Sequence, residues 1–385
     1  QLVARDGVYD VRITAELWET HFVDHVSLRV VDHPVDQEVF VDERFARDAP
    51  SRAAHALTHP RPVAQAWDDH GRDVTDLVAS RDGRYLATFE RGAYQGIAKD
   101  HFVEIDLGDP ERVALRQPRW LVANGWIYPT DSSINVAIGQ QNLQPHGLSL
   151  EAQDERGRWI VVTPDLGFPA GKNKTILIDL APIARAGIAH PRHIRLRTNL
   201  EVYWDRLAIA DDSSDAVQMS TTKLVSASAE LRFRGFSKTD HARRDVPETP
   251  RYDQIANVAQ RWRDLVGYYT RFGDVRELLS AVDDRYVIMN AGDELRLSFP
   301  APAPPKPGFA RDFVLIGDGW VKDGDYNTTA SSTVEPLPRH GHPEYKGNDR
   351  REAIEDDPVF RAHPADWQTY HTRFVDPRAF LSGLR

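Results

Sequence analysis

The sequence predicts a mainly β protein, built from antiparallel, jelly-roll-like β-sandwich units with a few short helices. Three observations predict this class. Short runs alternating apolar and polar residues at period two recur along the chain. Clusters of Gly, Pro and Asp separate them at near-regular spacing. The one helix-like insert among the central runs, Ala181-Pro182-Ile183-Ala184-Arg185, is too short to cross over between parallel strands.

Taken in order, Val11 and Ile13 open the first run, followed by Val26-Ser27-Leu28-Arg29-Val30-Val31 and Val39-Phe40-Val41, with a break at His33-Pro34-Val35-Asp36. Residues 1–45 therefore read as the closing strands of a first sandwich. From 46 to 90 the pattern thins into Ala, Arg, Asp, His and Pro, which predicts a surface connection. A second sandwich is expected over 91–212, with strands at 102–108, 120–126, 134–138, 148–152, 159–163, 175–180 and 193–197. A C-terminal β-rich domain follows over 213–345. It has strands at 229–233, 286–289, 294–299 and 313–316, a polar loop through Pro250, and helical spacing at 255–266 and 275–282. Asp274 and Glu277 have the spacing of a weak capping box. Residues 346–385 read as an extended, partly helical arm.

One internal echo stands out. Phe22-Val23-Asp24-His25-Val26-Ser27-Leu28 and Tyr203-Trp204-Asp205-Arg206-Leu207-Ala208-Ile209 share the pattern aromatic-x-Asp-x-aliphatic-small-aliphatic. It suggests a chain that opens with the last strands of one sandwich and then repeats a related one.

The 385-residue length suits two or three compact units, and 41% hydrophobic content suffices for their cores. A net charge of -10, with arginines interleaved among acids, argues against nucleic acid as a partner. No apolar stretch approaches the roughly 18–20 residues of a membrane span. The absence of cysteine excludes disulfides, thiolate metal sites and a Cys nucleophile. Gln1 and the strand that starts soon after it suggest that the chain begins inside a longer or processed protein.

Sugar recognition needs an aromatic face beside planar hydrogen-bonding groups. Trp126, Tyr128 and Asp131 lie in one loop-like stretch, and Gln140, Gln141 and Asn142 follow the next run, so they are candidate ligand-binding residues. The alternative is that Trp126 is core and Asp131 caps a turn. Asp323, Asp325 and Asn327 have the alternate spacing that converges oxygens on calcium. Thr328 and Val334, however, stand where a helix-loop-helix site needs Gly and Glu. His340, His342 and Glu344 could supply two imidazoles and a carboxylate to zinc. No nucleophile elbow, dinucleotide glycine run or phosphate loop occurs, and catalysis is not expected.

Several of these segments resemble the region after the integrin-like repeats of bacterial FG-GAP/UnbV proteins, a group related to the cartilage acidic proteins. They are Val11-Arg12-Ile13-Thr14-Ala15-Glu16-Leu17-Trp18-Glu19-Thr20 with Val30-Val31-Asp32-His33-Pro34, Gly167-Phe168-Pro169-Ala170-Gly171-Lys172-Asn173-Lys174-Thr175, Tyr203-Trp204-Asp205-Arg206 and Gly273-Asp274-Val275-Arg276-Glu277-Leu278-Leu279. The resemblance implies an exported, extracytoplasmic protein and carries no catalytic residues. The middle unit also resembles galactose-binding-like jelly rolls through its Val103-Glu104-Ile105-Asp106-Leu107-Gly108 and Arg195-Leu196-Arg197-Thr198-Asn199 strands. That likeness implies a glycan site at one end of the sandwich, with calcium nearby. The expected function is a non-catalytic binding or assembly module that meets a glycan or protein partner. A structural subunit of an envelope complex and a hydrolase with a site between domains are the alternatives.

Overall fold

A computed structural model of the chain describes residues 2–47, 51–108, 119–189, 191–212, 219–240, 243–341, 353–378 and 381. Antiparallel sheets dominate, helices are few and short, and the predicted fold class holds. The middle sandwich packs two five-stranded sheets face to face. One runs Trp159–Thr163, Ser149–Gln153, His193–Leu200, Ile97–Asp106, Gln65–Asp68; the other runs Lys174–Asp179, Arg119–Ile127, Val202–Asp212, Ala54–Pro62, Gln37–Val41. Alternation sets the core directly: Ile194 lies opposite Ile105 and Ala152, and Leu196 opposite Val103 and Leu150, all buried. Each such Ile, Leu or Val side chain contributes about 2 kcal/mol by leaving water.

A second, split sandwich takes strands from both ends of the chain. Val8–Thr14, Asp293–Pro300, Ser228–Phe233 and Gly273–Asp274 form one sheet. In the other, Glu19–Pro34 pairs with Phe309–Asp323 along its length and also with Ser220–Leu224 and Val287–Met289. Tyr9, Leu28, Val30, Leu295, Leu297 and Phe299 fill the space between them. A further apolar layer, with Phe22, Tyr269, Tyr286, Ile288, Val334 and Val359, covers the outer face of the second sheet.

This pairing corrects the expected partition. Val8–Thr14 and Glu19–Pro34 do not belong to a sandwich of their own; they hydrogen-bond to strands far along the chain, Asp293–Pro300 and Phe309–Asp323. Gln37–Val41 belongs to the middle sandwich, and so does most of 46–90, expected as surface connection. Ala54–Pro62 and Gln65–Asp68 there are strands, one in each sheet. Burial of Leu57 and Ala66 explains why these polar-looking segments are held.

The two sandwiches share one plan. In the middle one, Ile97–Asp106 pairs with Gln65–Asp68 and His193–Leu200, while Val202–Asp212 pairs with Arg119–Ile127 and Ala54–Pro62. In the split one, Asp293–Pro300, Ser228–Phe233, Val8–Thr14, Glu19–Pro34, Phe309–Asp323 and Ser220–Leu224 repeat those pairings in the same roles. The closing pair of strands, last in the middle unit, comes from the start of the chain in the split unit. Segments match without gaps. Asp73, Val74, Leu77, Asp82, Arg84 and Tyr85 recur as Asp274, Val275, Leu278, Asp283, Arg285 and Tyr286, and Gly125-Trp126 recurs as Gly319-Trp320.

Local expectations fail where a cap or a partner strand intervenes. Residues 134–138, expected as a strand, lie in helix Ser132–Gln140, because Asp131 caps its first turn and Ile134 and Ile138 share one face. Residues 255–266, expected as a helix, begin in strand Thr249–Asn257, which pairs with Phe236–Asp240 and leaves Ile255 and Val258 exposed. Phe236–Asp240 lies in the stretch expected as a polar loop, which Thr249–Asn257 overlaps only at Thr249 and Pro250. The helical period at 275–282 yields only the short 3-10 turn Arg276–Leu279, with Asp274 accepting from the Arg276 N–H. In the C-terminal arm, Pro358–Ala362 and Asp366–Thr369 are helical, and Arg373–Val375 pairs with Gly267–Tyr269.

Candidate functional site

The expected glycan residues do not form an open platform. Trp126, near the end of Arg119–Ile127, is 1% exposed and stacks on Tyr203 at 4.7 Å with Tyr85 against its edge. Its Nε1 donates to the Asp245 carbonyl at 3.2 Å, so its polar edge is taken by the loop that joins the two strands of the exposed hairpin. Tyr128 is half-buried, with the Arg244 guanidinium 4.3 Å over its ring. Arg244 in turn pairs at 3.0 Å with Glu201, a buried carboxylate. Trp126 and Tyr128 thus hold a segment of the same chain.

The expected calcium residues meet the neighbouring candidates. Asp131 accepts from the Ile134 N–H at 2.7 Å as a helix cap. The next two residues face the Asp323–Asn327 loop: Ser132 Oγ donates to Asp323 at 3.2 Å, and the Ser133 N–H and Oγ donate to Asp325 at 3.0 and 2.8 Å. Asn327 donates back to Ser133 Oγ at 2.7 Å. The Asn327 N–H, followed by Ser133, holds the Asp325 carboxyl below the usual carboxylate range. These oxygens are occupied by protein donors, so the loop works as a clasp. Gln140 ends the helix and is exposed.

An open cleft does lie beside Tyr128. It measures about 520 Å³ and is lined by Phe45, Tyr128, Thr130, Asn135, His146 and Phe168 among others. The short ribbon of Arg44–Phe45 and Phe168–Pro169 stacks Phe45 on Phe168 at 5.4 Å and leaves Phe45 65% exposed.

The echo noticed in the sequence marks a shared bulge. Pairing shifts by one residue at Asp24 in one sandwich and at Asp205 in the other. Each bulge faces a glycine, Gly319 or Gly125, where a Cβ would overlap the carbonyl oxygen of Phe22 or Tyr203. Asp205 is buried, and Oδ1 accepts from the Asp82 and Gly83 N–H groups at 3.2 and 3.0 Å. Burial lifts its carboxyl above the usual range, and those two amides hold the rise back.

Asp24 has a different setting. Its side chain is 0% exposed, and neither oxygen has a hydrogen-bond partner. Burial pushes its carboxyl up to about 6; the Asp283 and Asp284 amides temper this without reaching hydrogen-bond geometry. Beside it stands His340, expected among zinc ligands with His342 and Glu344, both outside the described residues. His340 Nδ1 lies 2.7 Å from Asp284 Oδ1 and 3.8 Å from Asp24, and Nε2 lies 3.0 Å from Asp318 Oδ1. The Asp284 carboxylate above all holds the imidazole pKa up. Sequence reasoning missed Asp24, Asp284 and Asp318 as partners of His340; only the echo at Asp24 pointed toward them. No family model, curated protein or solved structure matches the chain.

Proposed function

We propose that the chain is a non-catalytic binding module of an exported bacterial protein, and that it takes a glycan in the cleft of its middle sandwich. The supporting observation is the 65% exposed Phe45, stacked on Phe168 at the rim of a roughly 520 Å³ cleft that Tyr128, Asn135 and His146 also line. An exposed aromatic face matches the apolar C–H face of a pyranose, and the polar groups match its hydroxyl edge. Extracytoplasmic location follows from the FG-GAP/UnbV resemblance alone. A glycan array tests the reading. Specific retention is expected, reduced at least about tenfold by Phe45→Ala with an unchanged melting temperature, since hydrophobic contacts of this kind are worth roughly 1.5–3 kcal/mol. Silence across the array would remove the glycan.

A protein partner is the second reading. The hairpin Phe236–Asp240 and Thr249–Asn257 has one strand exposed at every residue, with Tyr252 and Ile255 on it and Val258 just beyond. An exposed apolar strand of this kind suits assembly by edge or face. Light scattering should then report a complex that Ile255→Arg abolishes.

A further inference from the structure

We propose that Asp24, Asp318 and His340 bind a divalent first-row cation of the zinc or manganese type, with Asp284 orienting the imidazole. The three ligand atoms lie within 4.8 Å of one another, and two of them already approach to 3.0 Å. Ligands about 2.1 Å from one ion stand roughly 3.0–3.4 Å apart, so small shifts would bring them into a coordination sphere. Carboxylate oxygen with imidazole nitrogen is the donor set of such ions, whereas calcium prefers oxygen alone.

The independent observation is Asp24 itself. A carboxylate without exposed surface and without a hydrogen-bond partner is costly to hold unless a cation meets it. The His340 imidazole comes within 3.8 Å of it, yet its nitrogens are engaged by Asp284 and Asp318. One imidazolium proton offsets only one of the three carboxylates. A metal ion between Nε2, Asp318 and Asp24 would supply the missing charge, leaving Nδ1–H on Asp284 to fix the tautomer. Trp320, 4.6 Å from the imidazole, packs the ring in place. Asp318, Trp320 and His340 also line an open pocket of about 640 Å³, with Arg52 and Arg339 in its wall, so solvent ions can reach the site.

The other repeat lacks this chemistry at matching positions. Asn124 replaces Asp318, Gly83 replaces Asp284, and backbone amides occupy Asp205. His146, as far after Trp126 in sequence as His340 is after Trp320, pairs instead with Asp100 at 3.4 Å. A second acid–histidine group, Asp68, Asp69 and His70, has no such vacancy, because Asp68 accepts from the His70 and Arg72 N–H groups and from the Arg72 guanidinium.

Calorimetric titration of the chelator-treated full chain with ZnCl2, and separately MnCl2, tests the site. One ion per chain is expected, with a rise in melting temperature. Asp318→Asn and His340→Ala, both at partly exposed side chains, should each weaken binding at least about tenfold. His70→Ala should leave it unchanged. Failure of both ions to bind up to millimolar concentration, or binding undiminished by both site variants, overturns the proposal. Neither result depends on the glycan cleft.

Discussion

The middle and split sandwiches carry one architectural device in two chemical states. In each, a bulged aspartate sits behind an aromatic residue, opposite a Gly-Trp pair and beside an Asp-x-Arg-Tyr turn. Around Asp205 the turn residue is Gly83, whose N–H reaches the carboxylate. Around Asp24 it is Asp284, held like Gly83 with positive φ, and it adds a negative charge where the middle unit offers only backbone. The difference teaches that the bulge itself is structural. It re-aims an aspartate inward, and neighbouring residues then decide whether that aspartate caps a loop or confronts uncompensated charge.

The sharpest way to probe this kinship is to remove the matching tryptophans. Trp126→Ala should cost about 4 kcal/mol in urea unfolding, because removing a buried ring stacked on Tyr203 and edged by Tyr85 leaves a cavity. Trp320 is only partly buried, and Trp320→Ala should cost about 2 kcal/mol. Equal losses would mean that the two aromatic clusters are not doing the same job to different depths. The aspartates should differ in sign. Asp205→Ala strands the Asp82 and Gly83 amides and should cost about 2 kcal/mol. Asp24→Asn, in metal-free protein at neutral pH, removes an unpartnered buried charge and should not destabilise. A comparable loss at both positions would erase the distinction drawn between them.

How much of this could be read from the residues depended on the range of the interaction. The strand at Ile97–Asp106 was legible because its own alternation specifies which side chains face the core. The closure of Glu19–Pro34 onto Phe309–Asp323 was not, since an edge accepts any partner that its hydrogen-bond register allows. The aromatic-x-Asp echo was visible, but its meaning needed the register shift that only pairing reveals. His340 drew attention as an imidazole near others, yet its neighbours Asp24, Asp284 and Asp318 come from three distant segments. Asp131 as a cap was a local signal and overrode the period-two appearance of Ile134, Val136 and Ile138.

A smaller effect separates the repeats one step past the tryptophans, where Tyr128 in the middle unit is matched by Lys322 in the split one. Lys322 donates to the Val334 and Glu335 carbonyls at 3.1 and 2.9 Å, and burial lowers its pKa to about 8 despite the nearby acids Glu335 and Asp357. In the unfolded chain the same ammonium titrates near 10.4. Between these values the folded state binds fewer protons than the unfolded state, so this residue's contribution rises with pH from about 8 to about 10.4 and is lost as pH falls through about 8. Comparing wild type with Lys322→Met cancels the other titrations. Across that window the wild type should gain about 1 kcal/mol on the variant, a discounted figure because the side chain is not fully enclosed. A flat difference would mean that the ammonium keeps its water in the folded state, and that the two repeats are electrically alike at this position.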